Sequence, residues 1–210
     1  AGGKANTASA CYATIGGGQS NETTANRSTI AGGCSNTNSG VYATIGGGAV
    51  NKICNSAHRA TIAGGICNVI CCQDATISGG THNKITVDSR YAVIGGGNSN
   101  IVSGSGTIGG GNQNHICTTS GPAVIGGGLC NTLSGFYATI GGGMRNCMIG
   151  TAACLYGVTI GGGCCNSINA CHYGSVNDSR CSTIAGGHKN FITGSSGFIG
   201  GGGSNKIQGE

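Results

Sequence analysis

The sequence predicts an all-β chain: a narrow, two-sided parallel β-solenoid of about 13 coils, mostly 14–17 residues each, forming a single repeat domain over residues 1–210. Three observations predict it. Gly supplies 46 of the 210 residues without the every-third-residue spacing of collagen, and charged residues make up only 7%. A motif reading small, Thr or Val, Ile, Gly/Ala/Ser, Gly, Gly recurs from end to end, as in "YATIGGGAVNKI" at 42–53. An Asn stands six residues after the motif Ile in all twelve full units, and a partial unit at the start supplies Gly2, Gly3 and Asn6.

Each unit is built from the same parts in the same order. The first strand carries the Ile column: Ile15, Ile30, Ile45, Ile62, Ile77, Ile94, Ile108, Ile125, Ile140, Ile160, Ile184 and Ile199. Period-two alternation turns Ile and the small residue two before it to one side and the intervening Thr to the other, and Ile is the core side. The small residues, such as Ala13, Ser28, Ala43, Ala60, Ala75 and Ala92, are expected to allow close packing within the coil and against another chain. The Gly pair after the strand is expected to take backbone values closed to a residue with a Cβ and to let coils approach, so that Gly47→Val would lower the melting temperature.

Next comes the Asn column: Asn21, Asn36, Asn51, Asn68, Asn83, Asn100, Asn114, Asn131, Asn146, Asn166, Asn190 and Asn205. An amide at one fixed place in every coil predicts a ladder of stacked side chains that also satisfies backbone groups at the turn. Two residues later a second apolar column follows, including Ile53, Ile70, Ile85, Leu133, Met148 and Ile192, with Thr23 and Asn38 as departures. The two apolar columns face each other as the core. Thirteen coils at the inter-strand spacing would extend ~60 Å.

Spacing between successive Asn residues is 14 to 17 in most units, then 20 and 24 in those ending at Asn166 and Asn190. The extra residues fall between the second strand and the next first strand, which predicts loop insertions near 149–158 and 169–182. Because the chain begins on "AGG" and stops shortly after "GGGSNKI", both pieces of the unit, a fragment of a longer fibre or surface protein is expected.

The stretches "YATIGGG", "STIAGG", "AVIGGG" and "VTIGGG" resemble the repeats of YadA-like trimeric autotransporter adhesin heads, and also repeat regions of phage or large-virus fibre proteins. The likeness covers essentially the whole chain. It implies a left-handed parallel β-roll, a homotrimer, and a structural fibre or surface-display role with adhesion or contact with a host-surface or matrix ligand. An extracellular, cell-surface or virion-surface location goes with that implication. The 14 Cys depart from the pattern of such heads.

Those cysteines are open to disulfide, metal or free-thiol readings. Cys54 and Cys71 both stand three residues after a ladder Asn in consecutive coils, which puts their Cα atoms within disulfide range. Cys171 and Cys181 flank the longest insertion and form a second candidate pair. No Cys-x-x-Cys occurs, and the vicinal pairs Cys71-Cys72 and Cys164-Cys165 do not by themselves make a tetrahedral zinc site, so no metal and no other cofactor is expected. Enzyme activity has no support either. "GGG" lacks the Gly-Lys-Ser/Thr of a phosphate loop, and Cys171-His172 lacks an orienting third group.

Ten Lys and Arg against five acids, without a basic run, give no reason to expect nucleic-acid binding. No apolar run is long enough to span a bilayer, so no membrane contact is expected from this segment. Among the sequons, Asn21 belongs to the ladder and Asn177 is a better glycan candidate than Asn26. The alternative function is ice binding through the Thr column, which is Thr in nine of twelve units. Tyr12, Tyr42, Tyr91 and Tyr137 recur three residues before Ile and are expected to pack at strand starts, with an adhesive aromatic surface as the alternative.

Overall fold

The structure is a computed structural model that describes residues 2–117, 121–150, 155–169 and 180–208. It is an all-β parallel β-solenoid of about 12 turns. The chain divides into two compact units, Ala1–Ile101 and Val102–Glu210.

In the first unit one parallel sheet carries the Ile column, from Thr14–Ile15 through Thr29–Ile30, Thr44–Ile45, Thr61–Ile62 and Thr76–Ile77 to Val93–Ile94. The other carries the strands after Asn, from Thr7–Ala8 through Lys52–Ile53 to Lys84–Ile85. Like residues pair across coils without slippage: Thr29 with Thr44, Ile30 with Ile45, Thr61 with Thr76. The second unit repeats this, with Ile125 paired to Ile140, Ile140 to Ile160 and Ile160 to Ile184, and Leu133 to Met148 in the opposite sheet. The longer spacings before Asn166 and Asn190 therefore leave the register intact. Residues 151–154, part of the first expected insertion, and 170–179, most of the second with Cys171 and Asn177, lie outside the described residues.

Both Ile walls are buried, and the small residue two before Ile is buried with them: Ala43, Ala60, Ala75 and Ala92 are 0% exposed in a single chain. The expected close packing within the coil is thus borne out, and these four alanines have no surface left for another chain. The small column lies inside the coil, and where Gly takes this place, at Gly106 and Gly197, a Cβ would stand 2.8 Å from Ile116 and Ile192 of the opposite wall, respectively. The two polar departures from the second apolar column are also buried and bonded. Asn38 donates from Nδ2 to the carbonyls of Ala43 at 2.9 Å and Thr29 at 3.2 Å, and accepts from the Gly40 N–H. Thr23 bonds Ser28 across the coil and the Asn38 carbonyl in the next. Among the described residues no buried side-chain nitrogen or oxygen is left without a partner.

The glycines do not share one role. Of the three positions in the glycine motif, only the third after Ile is left-handed in every coil: Gly48 has φ +84° and Gly65 φ +93°. The residue before it faces open space in most coils, with no atom within 4 Å of a Cβ built at Gly64 or Gly47. Gly47 itself has φ +154°, so Gly47→Val meets backbone strain without collision, and the severe position is its neighbour Gly48.

Candidate functional site

The turn after the glycines is where the sequence concentrates invariant chemistry. In Asn36 the backbone N–H donates to Asn21 Oδ1 of the preceding coil at 3.0 Å, while Nδ2 donates to the carbonyls of Gly32 at 3.1 Å and Gly48 at 3.0 Å. The same set recurs at Asn68, whose Nδ2 reaches the carbonyls of Gly64 and Gly80, and in the second unit at Asn146 and Asn166. Amide-to-amide bonds such as Asn131 Nδ2 to Asn114 Oδ1 accompany the set in some coils, but the constant partner is backbone. The column is thus a buried device that closes each turn onto the next. From Asn21 to Asn190 these Asn side chains are at most 1% exposed, so Asn21 offers no accessible amide for a glycan.

Two turn positions that sequence reading leaves unconstrained turn out to be fixed. The fourth residue after Ile forms a third parallel ladder of single bridges, Gln19 to Cys34 to Ala49 to Ile66 to Thr81 in the first unit and Leu129 to Met144 to Cys164 to His188 in the second. The fifth is left-handed although it is never Gly: Ser35 φ 54°, Val50 φ 58°, Cys67 φ 57°, Arg145 φ 53°. Its N–H reaches a carbonyl of the preceding coil, as in Val50 to Cys34 at 2.9 Å, which offsets the strain of the conformation. No residue type announces this position, because Ser, Val, Cys, His, Gln and Arg all occupy it.

The opposite corner, three residues before Ile, is left-handed as well in most coils, though not at Ser105 or Pro122, and carries the Tyr column. Tyr12 is 80% and Tyr91 71% exposed, which corrects the expectation of packing at strand starts. Arg27 lies between two of these rings, 5.5 Å from the Tyr12 centroid and 5.1 Å from that of Tyr42, and its guanidinium also bonds the Tyr42 hydroxyl. Two coils on, Arg59 makes a bidentate pair with Asp74 at 2.6 and 2.8 Å, which holds the Asp74 carboxyl below its usual range. A left-handed corner throws its side chain outward, so a Tyr there is displayed.

The outward face of the Ile sheet is flatter. Thr14, Thr29, Thr44, Thr61 and Thr76 stand in register on five consecutive coils of the first unit, fully or partly exposed, beside Gly46, Ala63 and Ser78, which add little relief. In the second unit Val124 and the 67% exposed Phe198 interrupt the column.

Cys54 and Cys71 are joined by a disulfide between consecutive coils, with Cα atoms 4.7 Å apart. Cys181 is exposed, and its candidate partner Cys171 lies outside the described residues. On the other sheet of the second unit, burial pushes the Cys117 and Cys147 thiols up and the His115 imidazole down from their ordinary values. Because the charged form of His115 is disfavoured in the fold, its contribution to stability is full above the unfolded imidazole value of about 6.5 and is lost as pH falls through the lower folded value. His115→Thr, which puts at 115 the residue that stands opposite it at Thr132, is expected to flatten the fall in urea midpoint as pH drops below about 6.5. An unchanged pH profile would show that the slope arises elsewhere.

Compared with known proteins, the chain matches no protein-family model and no curated relative.

Proposed function

We propose that this chain is a structural display scaffold, a segment of a fibre or surface protein whose coils hold outward side chains and loops in fixed positions, and that it has no catalytic role. The observation that carries this reading is the division of labour within the coil. The Ile column, the left-handed glycine and the asparagine column are constant and self-satisfied among the described residues, while exposed positions at both corners and the lengths of the connecting segments vary. Constancy inside with variation outside is what a display scaffold requires. The resemblance to adhesin heads and viral fibres supports an extracellular or virion-surface setting and a homotrimer. Since the small-residue column is already buried within one chain, a trimer would have to use outward faces, and the Thr and Tyr columns are the surfaces offered.

Sedimentation equilibrium of the chain is expected to give three times the mass of one chain, with Thr44→Lys and Thr76→Lys together shifting it toward the monomer. A monomer at all concentrations would remove the trimer. The five in-register Thr residues specifically favour a second reading, ice binding, in which a flat Thr face orders water at the ~4.8 Å coil spacing. Thermal hysteresis from a monomer, abolished by the same two substitutions, would replace the display reading with this one.

A further inference from the structure

The ladder of single bridges in the second unit brings together residues that are far apart in sequence. Cys164 and His188 are register partners in adjacent coils although 24 residues separate them. Cys165 is the next residue along, at the left-handed turn position with φ 59°. Successive side chains of an extended strand point to opposite faces. The left-handed backbone of Cys165 instead swings its thiol round to the Cys164 side, and the two Sγ atoms lie 3.2 Å apart. The two sulfurs and a ring nitrogen of His188 all lie within 4.8 Å of one another, at a surface where His188 is exposed and both cysteines are half-buried.

We propose that Cys164, Cys165 and His188 form a metal site for a thiophilic d10 ion, and that Zn2+ is the ion they fit. Two thiolates and an imidazole are a donor set that Zn2+ takes, with the fourth tetrahedral position left to water or another ligand. Zn–S bonds of about 2.3 Å at a tetrahedral centre place two sulfurs about 3.8 Å apart, so the pair has to open by roughly 0.6 Å. Both thiols sit at a surface turn, where a small χ1 rotation makes that adjustment without moving the coil.

The hydrogen bond with Cys165, and after it partial burial, push the Cys164 thiol up from its ordinary value, while Arg145 and Lys189 draw it the other way. These two cations occupy the same left-handed turn position as Cys165 in the coils on either side. Both cations favour the thiolate form that Zn2+ binds. Zn2+ with two thiolates is neutral, and binding releases the two thiol protons. Sequence reading missed the site because it considered the vicinal pair alone. Only the coil register, maintained across the longest insertion, supplies the histidine.

The test uses the full chain with thiols reduced under anaerobic conditions, Zn2+ alone as ligand, and a chromophoric chelator as competitor. Cys164→Ser/Cys165→Ser and His188→Asn are the comparisons. Both are expected to fold, since Ser already occupies the Cys165 position in left-handed geometry at Ser20, Ser35, Ser99 and Ser204. The wild-type chain is expected to bind one more equivalent of Zn2+ than the double variant, and His188→Asn to weaken that equivalent at least tenfold. With Co2+ in place of Zn2+, sulfur-to-metal charge-transfer bands should appear in the wild type and be lost in the double variant. The proposal is overturned if the wild-type and double-variant chains take up the same Zn2+ with the same affinity. It is equally overturned if Cys164 and Cys165 form a disulfide that resists reduction in the folded chain.

Discussion

Gly65→Ala is expected to destabilise the first unit by about 3 to 5 kcal/mol, while Gly64→Ala, one residue away, is expected to change it by no more than about 0.5 kcal/mol. Two independent faults meet at Gly65. Its φ of +93° is a conformation that L side chains rarely adopt, and a Cβ there would stand 2.1 Å from the Gly80 carbonyl oxygen and 2.6 Å from Asn68 Nδ2. Neither neighbour can yield. The Gly80 oxygen accepts from the Ile66 N–H at 2.9 Å, and Asn68 Nδ2 is committed to the Gly64 and Gly80 carbonyls. Gly64 has neither fault, since its Cβ would meet nothing within 4 Å. Thermal melting of the two variants, with hydrogen exchange at the amides of Ile66 and Asn68 as the local reading, separates them. Equal losses would remove the claim that the glycines have distinct roles.

The pairing of Gly65 with Asn68 also explains why glycine and asparagine recur together three residues apart. The space a side chain would take at glycine is the space through which the amide reaches the next coil. Sequence periodicity showed both columns, the Ile walls and the strand order, because each repeats at a fixed interval from Ile and each depends on one residue type. It did not show which glycine is obligatory, since all three glycines of "GGG" look alike until the register of the next coil is known.

The two left-handed corners were hidden for a different reason. Their conformation is imposed by hydrogen bonds from the neighbouring coil, such as Arg59 N–H to the Val41 carbonyl at 2.9 Å, so residues as unlike as Val50, Arg59 and Tyr91 adopt it. Tertiary pairing overrides local preference there, and local preference is what a sequence reports. The exposed Tyr and Arg residues and the thiol pair beside His188 follow from that imposed geometry, whereas the Thr face follows from strand alternation. The inside of the coil was legible, whereas the direction in which its corners point was not.

Asn83→Asp tests the ladder with a change of one atom. Asn83 Oδ1 accepts the Asn100 N–H at 3.0 Å, and Nδ2 donates to the carbonyls of Gly79 at 3.0 Å and Gly97 at 2.9 Å, in a side chain that is 0% exposed. Asn83→Ala removes these bonds, together with the one that Oδ1 accepts from Asn100 Nδ2 at 3.2 Å, and leaves buried backbone groups unpaired, for an expected loss of about 3 to 5 kcal/mol that does not vary with pH. Asn83→Asp at neutral pH adds to this a buried carboxylate whose oxygen faces two carbonyl oxygens, so its loss is expected to exceed that of Ala. Burial and those carbonyls raise the folded carboxyl above its unfolded value of about 3.9, because only the protonated acid can donate. A group raised in the fold contributes most below its unfolded value and loses that contribution as pH climbs through the folded one. Asn83→Asp should therefore regain stability as pH is lowered from 7 toward 4, without reaching wild type, because the acid supplies one donor where the amide supplies two. Asn205→Asp, at an exposed amide, should cost less than about 1 kcal/mol and show no such recovery. Urea titrations of these variants at pH 7 and pH 4.5 give the comparison, and an Asn83→Asp variant as stable as wild type at pH 7 would mean that the asparagine amides do not hold the coils together.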